Sequence, residues 1–591
     1  VTSTHTYIVK SSTLDEKREG AIVFTEVLPE GASEENSPVS ASVLVSQHGL
    51  NEYNGGAGED IEGDIKVKVV SGHDTSHQGE DAIEKSFDGD YTTLYHSSWS
   101  NGGANYFPIT LTYNFAEASD VDYLIYYPRS TGYNGHFKEV EIQYSEDGSV
   151  FTKLLDKDFE GSATATRVTF DNTVRAKSFR FVVKSGAGDG QGFASCADSK
   201  QSMTITVTNP LALERVGEMV EVPMSDVVAK LKLADTAQIV VLDVDGQQVP
   251  YQVTYDEKVV FPATVEANGT AVYTIQPGTP APFDVVACGK YYPERLDDVA
   301  WENDLGGFRA YGPALQARGE RGFGYDLFTK YNTTEPILES LYAEELNPEK
   351  RAKIAELKKT DPKAASELQK AISYHIDHGY GMDCYAVGPT LGAGVAALMA
   401  GDTIIYPYCY RTQEILDNGP LRFTVKLEFN PLVVRGDSNV VETRVISLDA
   451  GSYLNKTIVS YTNLKEAMPV TTGLVLREPD GATVADAANG YITYVDPTTD
   501  RSGANGKIFV GAAFPAQVKE AKVVLFSEKE KKERGGADGH VLAISEYEPG
   551  SEYTYYWGSA WDKAAIKTPD AWNKYMAEYA QKLRTPLTVA Y

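Results

Sequence analysis

Four cysteines in 591 residues, no long apolar run, and only 54 basic side chains against 83 acidic ones are the shortages that bound this chain. Cys196, Cys288, Cys384 and Cys409 lie far apart and match no zinc spacing. They are also too few for a disulfide scaffold. With no stretch of 18 or more apolar residues, no membrane-spanning helix is expected. The net charge of -29 supplies no basic field to offset phosphate repulsion, which removes nucleic acid and anionic membranes as partners. The opening residues, Val1-Thr-Ser-Thr-His-Thr-Tyr7, have neither a basic nor an apolar region, so any secretion signal is expected to be already removed or never present.

The chain is rich in tyrosine, with 37, and in glycine, with 51. Flat rings with a polar tip suit carbohydrate binding, because the face stacks on sugar C–H groups while the hydroxyl stays hydrogen-bonded. Tyrosines that merely build sheets are the alternative. The length exceeds what one hydrophobic core usually serves, so two or three domains are expected. Period-two runs at Ile65–Val70, Val140–Tyr144, Arg167–Phe170 and Phe179–Val183 predict half-buried strands. A second series, including Thr204–Thr208, Gln238–Leu242 and Ala271–Ile275, continues to the end of the chain. The acidic, glycine-rich stretch from Asn51 to Asp64 reads as a linker. These observations divide the chain into an N-terminal segment and linker (1–63), a β-module (64–202) and a large β-domain (203–591). One helical interval stands out: Asn347-Pro348 and Asp361-Pro362 open two consecutive helices as N-cap and first-turn proline.

That helical pair runs into Tyr374-His-Ile-Asp-His-Gly-Tyr-Gly-Met-Asp-Cys-Tyr385, the densest cluster of titratable residues and glycines in the chain. Glycines weaken regular structure, so their density predicts a place where backbone approaches something closely, such as a pocket floor. If the stretch is extended, His375 and Asp377 share one face and His378 takes the other. A catalytic or substrate-binding loop, histidines that satisfy buried backbone, and a His/Asp/His metal site are the three readings. The last offers two ligands on one face, where a catalytic zinc needs three.

Residues 64–202 resemble the discoidin-like, coagulation-factor type C family, which includes family 32 carbohydrate-binding modules. The likeness rests on Ala82–Trp99, Tyr127-Pro-Arg129, Gly135–Val140 and Tyr144–Phe151. It implies a β jelly roll, a structural Ca2+ at the Asp88-Gly-Asp90 turn with Asp88, Asp90 and Thr93 as ligands, and sugar contacts from His96, Trp99, Arg129, Tyr133 and Phe193. Residues 203–591 resemble a secreted bacterial family of undefined function found beside polysaccharide-degrading enzymes, on Thr208-Asn-Pro, Val216–Val222, Trp301–Asp304, Phe308–Pro313, Tyr374–Gly379 and Gly381–Gly388. The segment Glu442–Asn455 is similar to strands of the galactose-mutarotase-like β-supersandwich, a scaffold shared by epimerases, hydrolases and lyases. Together the likenesses imply a mainly β protein, jelly roll plus supersandwich with a short helical insertion. They also imply a secreted, periplasmic or cell-surface location and an oligo- or polysaccharide partner.

Residue chemistry narrows the reaction. Trp301 and Asp304 precede Arg309 and Tyr311, whose spacing places them on one strand face, a plausible clamp for a uronate. Elimination from a uronic acid needs a cation for the carboxylate, a base for the C5 proton and an acid for the leaving oxygen. Arg309 or Arg444 meets the first demand, His375 the second, Tyr385 or Tyr311 the third, and no organic cofactor is called for. Hydrolysis needs two carboxylates instead, and Asp304, Asp377, Asp383 and Glu442 are available. The expectation is therefore a polysaccharide or oligosaccharide lyase, with a carboxylate-pair hydrolase or a non-catalytic glycan-binding protein as alternatives. A buried packing and ionic network formed by Trp301, Arg309 and Tyr311 is the structural alternative for those residues.

Overall fold

In a computed structural model the chain divides into two compact units, Val1–Gln201 and Ser202–Tyr591. The structure describes residues 18–25, 40–47, 67–88, 93–99, 107–129, 132–188, 192–198, 202–231, 233 and 238–591. The linker at 51–64 lies outside them, and of the first 50 residues only the antiparallel pair Arg18–Thr25 and Ser40–Gln47 is described. The protein is predominantly β.

The small unit is built on a five-stranded antiparallel sheet. Its strands run in the order Val69–Asp74, Ile109–Tyr126, Thr166–Val183, Glu139–Ser145, Thr152–Asp158. The two runs around Phe170 and Phe179 are the two ends of one 18-residue strand, longer than either pattern alone suggests. Alternation buries Leu111, Ile142, Phe181 and Val183 on one side, and Tyr126 stacks on Phe137 at 4.2 Å between ring centroids.

The large unit opens with a small sandwich whose sheets contain Met203–Thr208 and Arg215–Pro223. Met203, Ile205 and Val207 face inward while the intervening threonines face out, as period-two patterning requires. Its five-stranded sheet is completed at one edge by Thr588–Ala590. The main body packs a nine-stranded and a five-stranded antiparallel sheet around one core. That core includes the stacked pair Tyr325 and Trp557, 4.0 Å apart, and removing such a ring costs about 3–5 kcal/mol.

A further five-stranded sheet positions the chemistry. It runs Cys288–Tyr292, Asp298–Glu302, Gly307–Ala310, Asp326–Lys330, Gly381–Asp383. Val299, Trp301, Phe308, Leu327 and Met382 point into the main core. The opposite face carries Asp298, Glu302, Arg309, Asp326, Phe328, Lys330 and Asp383, and is covered by Leu338 and Leu341 of the Leu338–Glu345 helix with Tyr342 and Tyr374. The helices Pro348–Thr360 and Pro362–Ile372 follow, so three helices are inserted between two neighbouring strands. Asn347 and Asp361 cap as their sequence signals predict, accepting from Lys350 N and Ala364 N at 3.0 Å each. The 16-residue helix Pro569–Arg584 was not anticipated; it buries Trp572, Met576 and Ala580 at four-residue spacing.

Candidate functional site

In the small unit the Tyr95–His96 strand pairs with Ser195–Cys196, which brings His96 beside Phe193. The His96 ring lies 4.7 Å from Trp99, edge to face, and 5.4 Å from Phe193. Trp99 remains 47% exposed, and Tyr133 is exposed on the neighbouring loop. Phe193 also approaches Asn134: a Cβ on Gly188 would meet the Phe193 ring at 2.8 Å and Asn134 Oδ1 at 3.5 Å. Arg129 Nη1 donates to Asn134 O at 3.4 Å, while Arg129 Nε and Asn134 Oδ1 are buried without hydrogen-bonding partners among the described residues. Burial lowers the pKa of His96, so the ring is neutral at physiological pH, with Nδ1 donating to Ser97 O at 2.7 Å. The result is an aromatic wall beside unsatisfied polar groups, the combination that a sugar ring complements. Asn134 was not singled out from sequence; its place in Tyr133-Asn-Gly-His136, on the loop after Arg129, was the available signal.

At the proposed cation turn, Thr93 Oγ1 lies 2.9 and 3.1 Å from the Asp88 carboxylate oxygens and 3.2 Å from Lys85 O. Asp90 lies outside the described residues. These hard oxygen donors fit Ca2+, although Lys85 Nζ stands 3.4 Å from Asp88 Oδ2. Among the described residues no three His, Cys, Asp or Glu side chains gather as metal ligands.

In the large unit Arg309 sits directly across from Asp326, so the pair is fixed by strand register. Its guanidinium donates to Asp326 and to Asp383 Oδ2 (2.6 Å), reaches the Tyr311, Tyr342 and Tyr374 hydroxyls at 3.3–3.5 Å, and lies 3.6 Å from Asp298. Tyr311 donates to the same Asp326 oxygen. Asp298, Arg309, Asp326 and Asp383 are all nearly inaccessible. Burial, then the charge of Asp326, pushes the Asp383 carboxyl up to about 6; burial, with a smaller push from Asp326, does the same to Asp298 against the pull of Arg309 and Arg295. His375 joins from outside. Its Nδ1 is 3.0 Å from Asp383 O and 3.5 Å from Asp383 Oδ2, its ring lies against Tyr374, and its side chain is 57% exposed.

Arg309, Tyr311, Asp383 and His375 therefore share one centre, and Asp326, Asp298, Tyr342 and Tyr374 belong to it although sequence reasoning passed over them. Asp326 was visible as an acid opening the strand Asp326-Leu-Phe-Thr-Lys330. Other candidates lie elsewhere. Trp301 is fully buried, its Nε1 donating to Asn455 Oδ1 at 2.7 Å, so it packs instead of stacking on a sugar. Arg444 is paired with Glu442 inside the sandwich, with Phe429 against its guanidinium, so neither can clamp or attack a substrate. Asp304 closes the turn at the far end of the strand, accepting from Gly451 N at 2.8 Å. Four residues beyond the level of Arg309, it is roughly 13 Å away along the strand. Asp377 organises its own loop, accepting from Gly379 N, Gly381 N and the Tyr331 hydroxyl. That loop is a set of turns, not an extended strand, so the alternation expected for His375, Asp377 and His378 does not apply. Tyr385 is buried, its hydroxyl unpaired, and after burial itself Asp496 is the charge that bears most on it. The close approach implied by the glycines is to the chain itself: at Gly381 (φ +122°) a Cβ would lie 2.0 Å from Thr329 O.

A sequence profile described as "Domain of unknown function (DUF4861)" matches residues 207–589. The chain belongs to the DUF4861 family. A second profile, "F5/8 type C domain", matches residues 70–198, the discoidin-like module ahead of the DUF4861 domain. Uncharacterized protein P7 of Formosa agariphila is 25% identical over 428 residues, covering 67% of this chain and 96% of that protein. Among solved structures, the family 32 carbohydrate-binding module of Clostridium perfringens NanJ, in complex with galactose, is 30% identical. It matches 22% of this chain and 89% of its own at a TM-score of 0.20. A second Clostridium perfringens module, in complex with GalNAc-β-1,3-galactose, is 26% identical over 22% and 91% at 0.20. Among the described residues no helix is long and apolar enough to cross a membrane.

Proposed function

We propose that this DUF4861 protein is an extracytoplasmic, glycan-targeted lyase: the small unit holds carbohydrate and the large unit cleaves uronic-acid-containing oligosaccharides by β-elimination at His375. The observation that carries the catalytic half is the orientation of that imidazole. A carbonyl only accepts, so the Nδ1 facing Asp383 O bears the proton and Nε2 is left with its lone pair on a ring that is more than half exposed. Nε2 takes the C5 proton, the C4–O bond breaks, a C4–C5 double bond forms, and the leaving oxygen is protonated by Tyr311, whose hydroxyl turns from Asp326 to the substrate and which replaces Tyr385 in this role. The Asp383 carboxylate, 3.5 Å from Nδ1, stabilises the imidazolium. Arg309 has its donors committed to Asp326 and Asp383, so it holds the acids in place and does not clamp the substrate. Arg295, half-buried with Nε on the Tyr374 hydroxyl at 2.9 Å, is the cation assigned to the substrate carboxylate.

Incubating the protein with a panel of uronate oligosaccharides should release products with the ultraviolet absorbance of a conjugated uronate. His375→Ala should slow release by roughly a hundredfold or more and leave substrate binding largely intact. Full activity in His375→Ala would overturn the assignment. A second reading, hydrolysis by Asp326 and Asp383, is favoured by one observation: a single Arg309 nitrogen contacts both carboxylates, the close spacing of a retaining pair. New reducing ends without ultraviolet absorbance would select it.

For the small unit, Trp99→Ala and Arg129→Ala should each weaken glycan retention by about tenfold, read by affinity electrophoresis of the full chain. Unchanged retention in both would remove this surface from the reading. Ca2+ at Asp88, Thr93 and Lys85 O should raise the Tm of the full chain's small-unit transition, and Asp88→Ala should abolish the response to a chelator. A chelator that leaves that transition unmoved would mean the turn holds no metal.

A further inference from the structure

A second polar cluster lies next to the His375 centre in sequence and is used by none of the steps above. Thr499 N donates to Cys384 O at 2.9 Å, which brings Tyr385 alongside Asp496 and Thr498, and Thr498 N donates to Asp496 Oδ1 at 2.8 Å. All three side chains are buried, and each has one oxygen with no hydrogen-bonding partner among the described residues: the Tyr385 hydroxyl, Asp496 Oδ2 and Thr498 Oγ1. A buried polar atom without a partner is costly and uncommon, and three on two segments joined by the Thr499–Cys384 bond mean that the polypeptide does not complete this place on its own. Thr498 adds backbone strain. Its φ is +68°, in the left-handed region that a β-branched residue rarely adopts.

We propose that Tyr385, Asp496 and Thr498 form a subsite for the neighbouring hydroxyl groups of a sugar ring, roofed by residues 500–507. The proposal rests on the reading that this unit acts on carbohydrate. The ligand class follows from what the three oxygens lack. An ionised carboxylate only accepts, whereas the phenol and the threonine hydroxyl can each donate or accept, so the occupant must bring donors and acceptors within a small space. Adjacent sugar hydroxyls do both. A phosphate or carboxylate brings only acceptors and is repelled by Asp496. A metal ion is opposed by Arg477 and Arg501, whose charges act on the same carboxyl. Burial pushes the Asp496 carboxyl up to about 6, so it accepts at neutral pH. Arg477 itself is committed, donating to Ala386 O and Val387 O at 2.7–3.2 Å and to Gly535 O at 3.2 Å, which fixes the segment that carries Tyr385.

The roof is tied down by a few polar contacts: Trp561 Nε1 to Asn505 O at 2.8 Å, Lys563 Nζ to Ala504 O at 2.6 Å and Arg501 Nη2 to Arg477 O at 3.2 Å. Gly503 and Gly506 both have positive φ, at +81° and +72°. Sugar entry requires this roof to lift.

The test uses the full chain carrying Trp99→Ala and Arg129→Ala, so that a sugar response arises in the large unit. Glucose, galactose, mannose, xylose and rhamnose are titrated singly, read by Tm and by calorimetry. At least one should raise Tm, and Tyr385→Phe and Thr498→Ala should each weaken its binding about tenfold, while Asp383→Asn leaves binding in place. Both variants delete an oxygen that bonds nothing, so both should fold. The proposal is overturned if no sugar shifts Tm, if both variants bind like the parent, or if crystals grown with saturating sugar show only water joining the three oxygens. The two readings separate cleanly. If His375→Ala keeps full turnover while Tyr385→Phe loses sugar, elimination fails and the subsite stands. If His375→Ala is inactive while Tyr385→Phe and Thr498→Ala change neither KM nor binding, the subsite falls and elimination stands.

Discussion

Two charged clusters occupy one face of one sheet in the large unit, and they are built to different standards. At the hairpin end, Lys330 Nζ meets Glu302 Oε2 and Asn303 O at 2.8 Å each, and Glu302 also accepts from Ile337 N and Leu338 N at the start of the covering helix. One charge faces one charge, every partner is supplied by the fold, and nothing reaches the surface. At the other end three carboxylates converge on Arg309, Asp298 Oδ1 has no partner, and His375 carries the cluster out to solvent. A buried ion pair is weak evidence of purpose, because breaking even is common for such pairs. An unbalanced one with an exposed titratable side chain attached is stronger evidence.

Mutations at the two ends should separate them. Arg309→Met strands three buried carboxylates and is expected to destabilise the large unit by about 3–5 kcal/mol. Lys330→Met should cost less, about 1–3 kcal/mol, because Glu302 keeps its two backbone donors. Urea denaturation of both variants checks this, and equal losses would erase the distinction. Next in size is a pH effect at the unbalanced end. The Asp383 carboxyl stands near 6 when folded against about 3.9 in an unfolded chain. The folded state therefore holds the proton more tightly, and its contribution to stability is lost as pH rises from about 4 to about 6. Across that window Asp383→Asn should gain on the parent by ~2 kcal/mol, read as the difference between two stability profiles. A constant difference would mean that Asp383 titrates alike in both states. The smallest effect belongs to a third pair on the same face, Lys290 and Glu339, 2.8 Å apart but mostly exposed. Lys290→Ala should change stability by no more than about 0.5 kcal/mol, and a larger loss would mean that accessibility is not what sorts these pairs.

What could be foreseen follows the same division between local and distant causes. The alternation in Met203–Thr208 and the N-caps Asn347 and Asp361 act through near neighbours, so they were legible. So was most of the small-unit surface, because His96 and Trp99 lie on one short stretch. The Arg309 centre was legible only in pieces. Arg309 and Tyr311 were correctly placed together by strand spacing, but their saturation by Asp326 and Asp383 depends on strand order. Their burial depends on a helix inserted between two paired strands. Trp301 fails for the related reason that one residue's shift along a strand exchanges the helix-covered face for the main core. Tyr385 sits two residues beyond Asp383, yet the charge that bears most on it comes from Asp496, which no spacing rule connects to it.

The pairing of Thr588–Ala590 with Thr206–Thr208, supported by the Arg215 guanidinium on Thr585 O and by Tyr591 donating to Asp226 at 2.6 Å, bears on how the protein is made. The first sheet of the large unit stays unfinished on the ribosome until Thr588–Ala590 emerges. During that interval Met203–Thr208 presents an unpaired edge to any extended chain nearby. A nascent protein of this design is best served by a chaperone that shields strand edges, and a bulky insertion directly after Tyr591 would burden the very strand that closes this sheet.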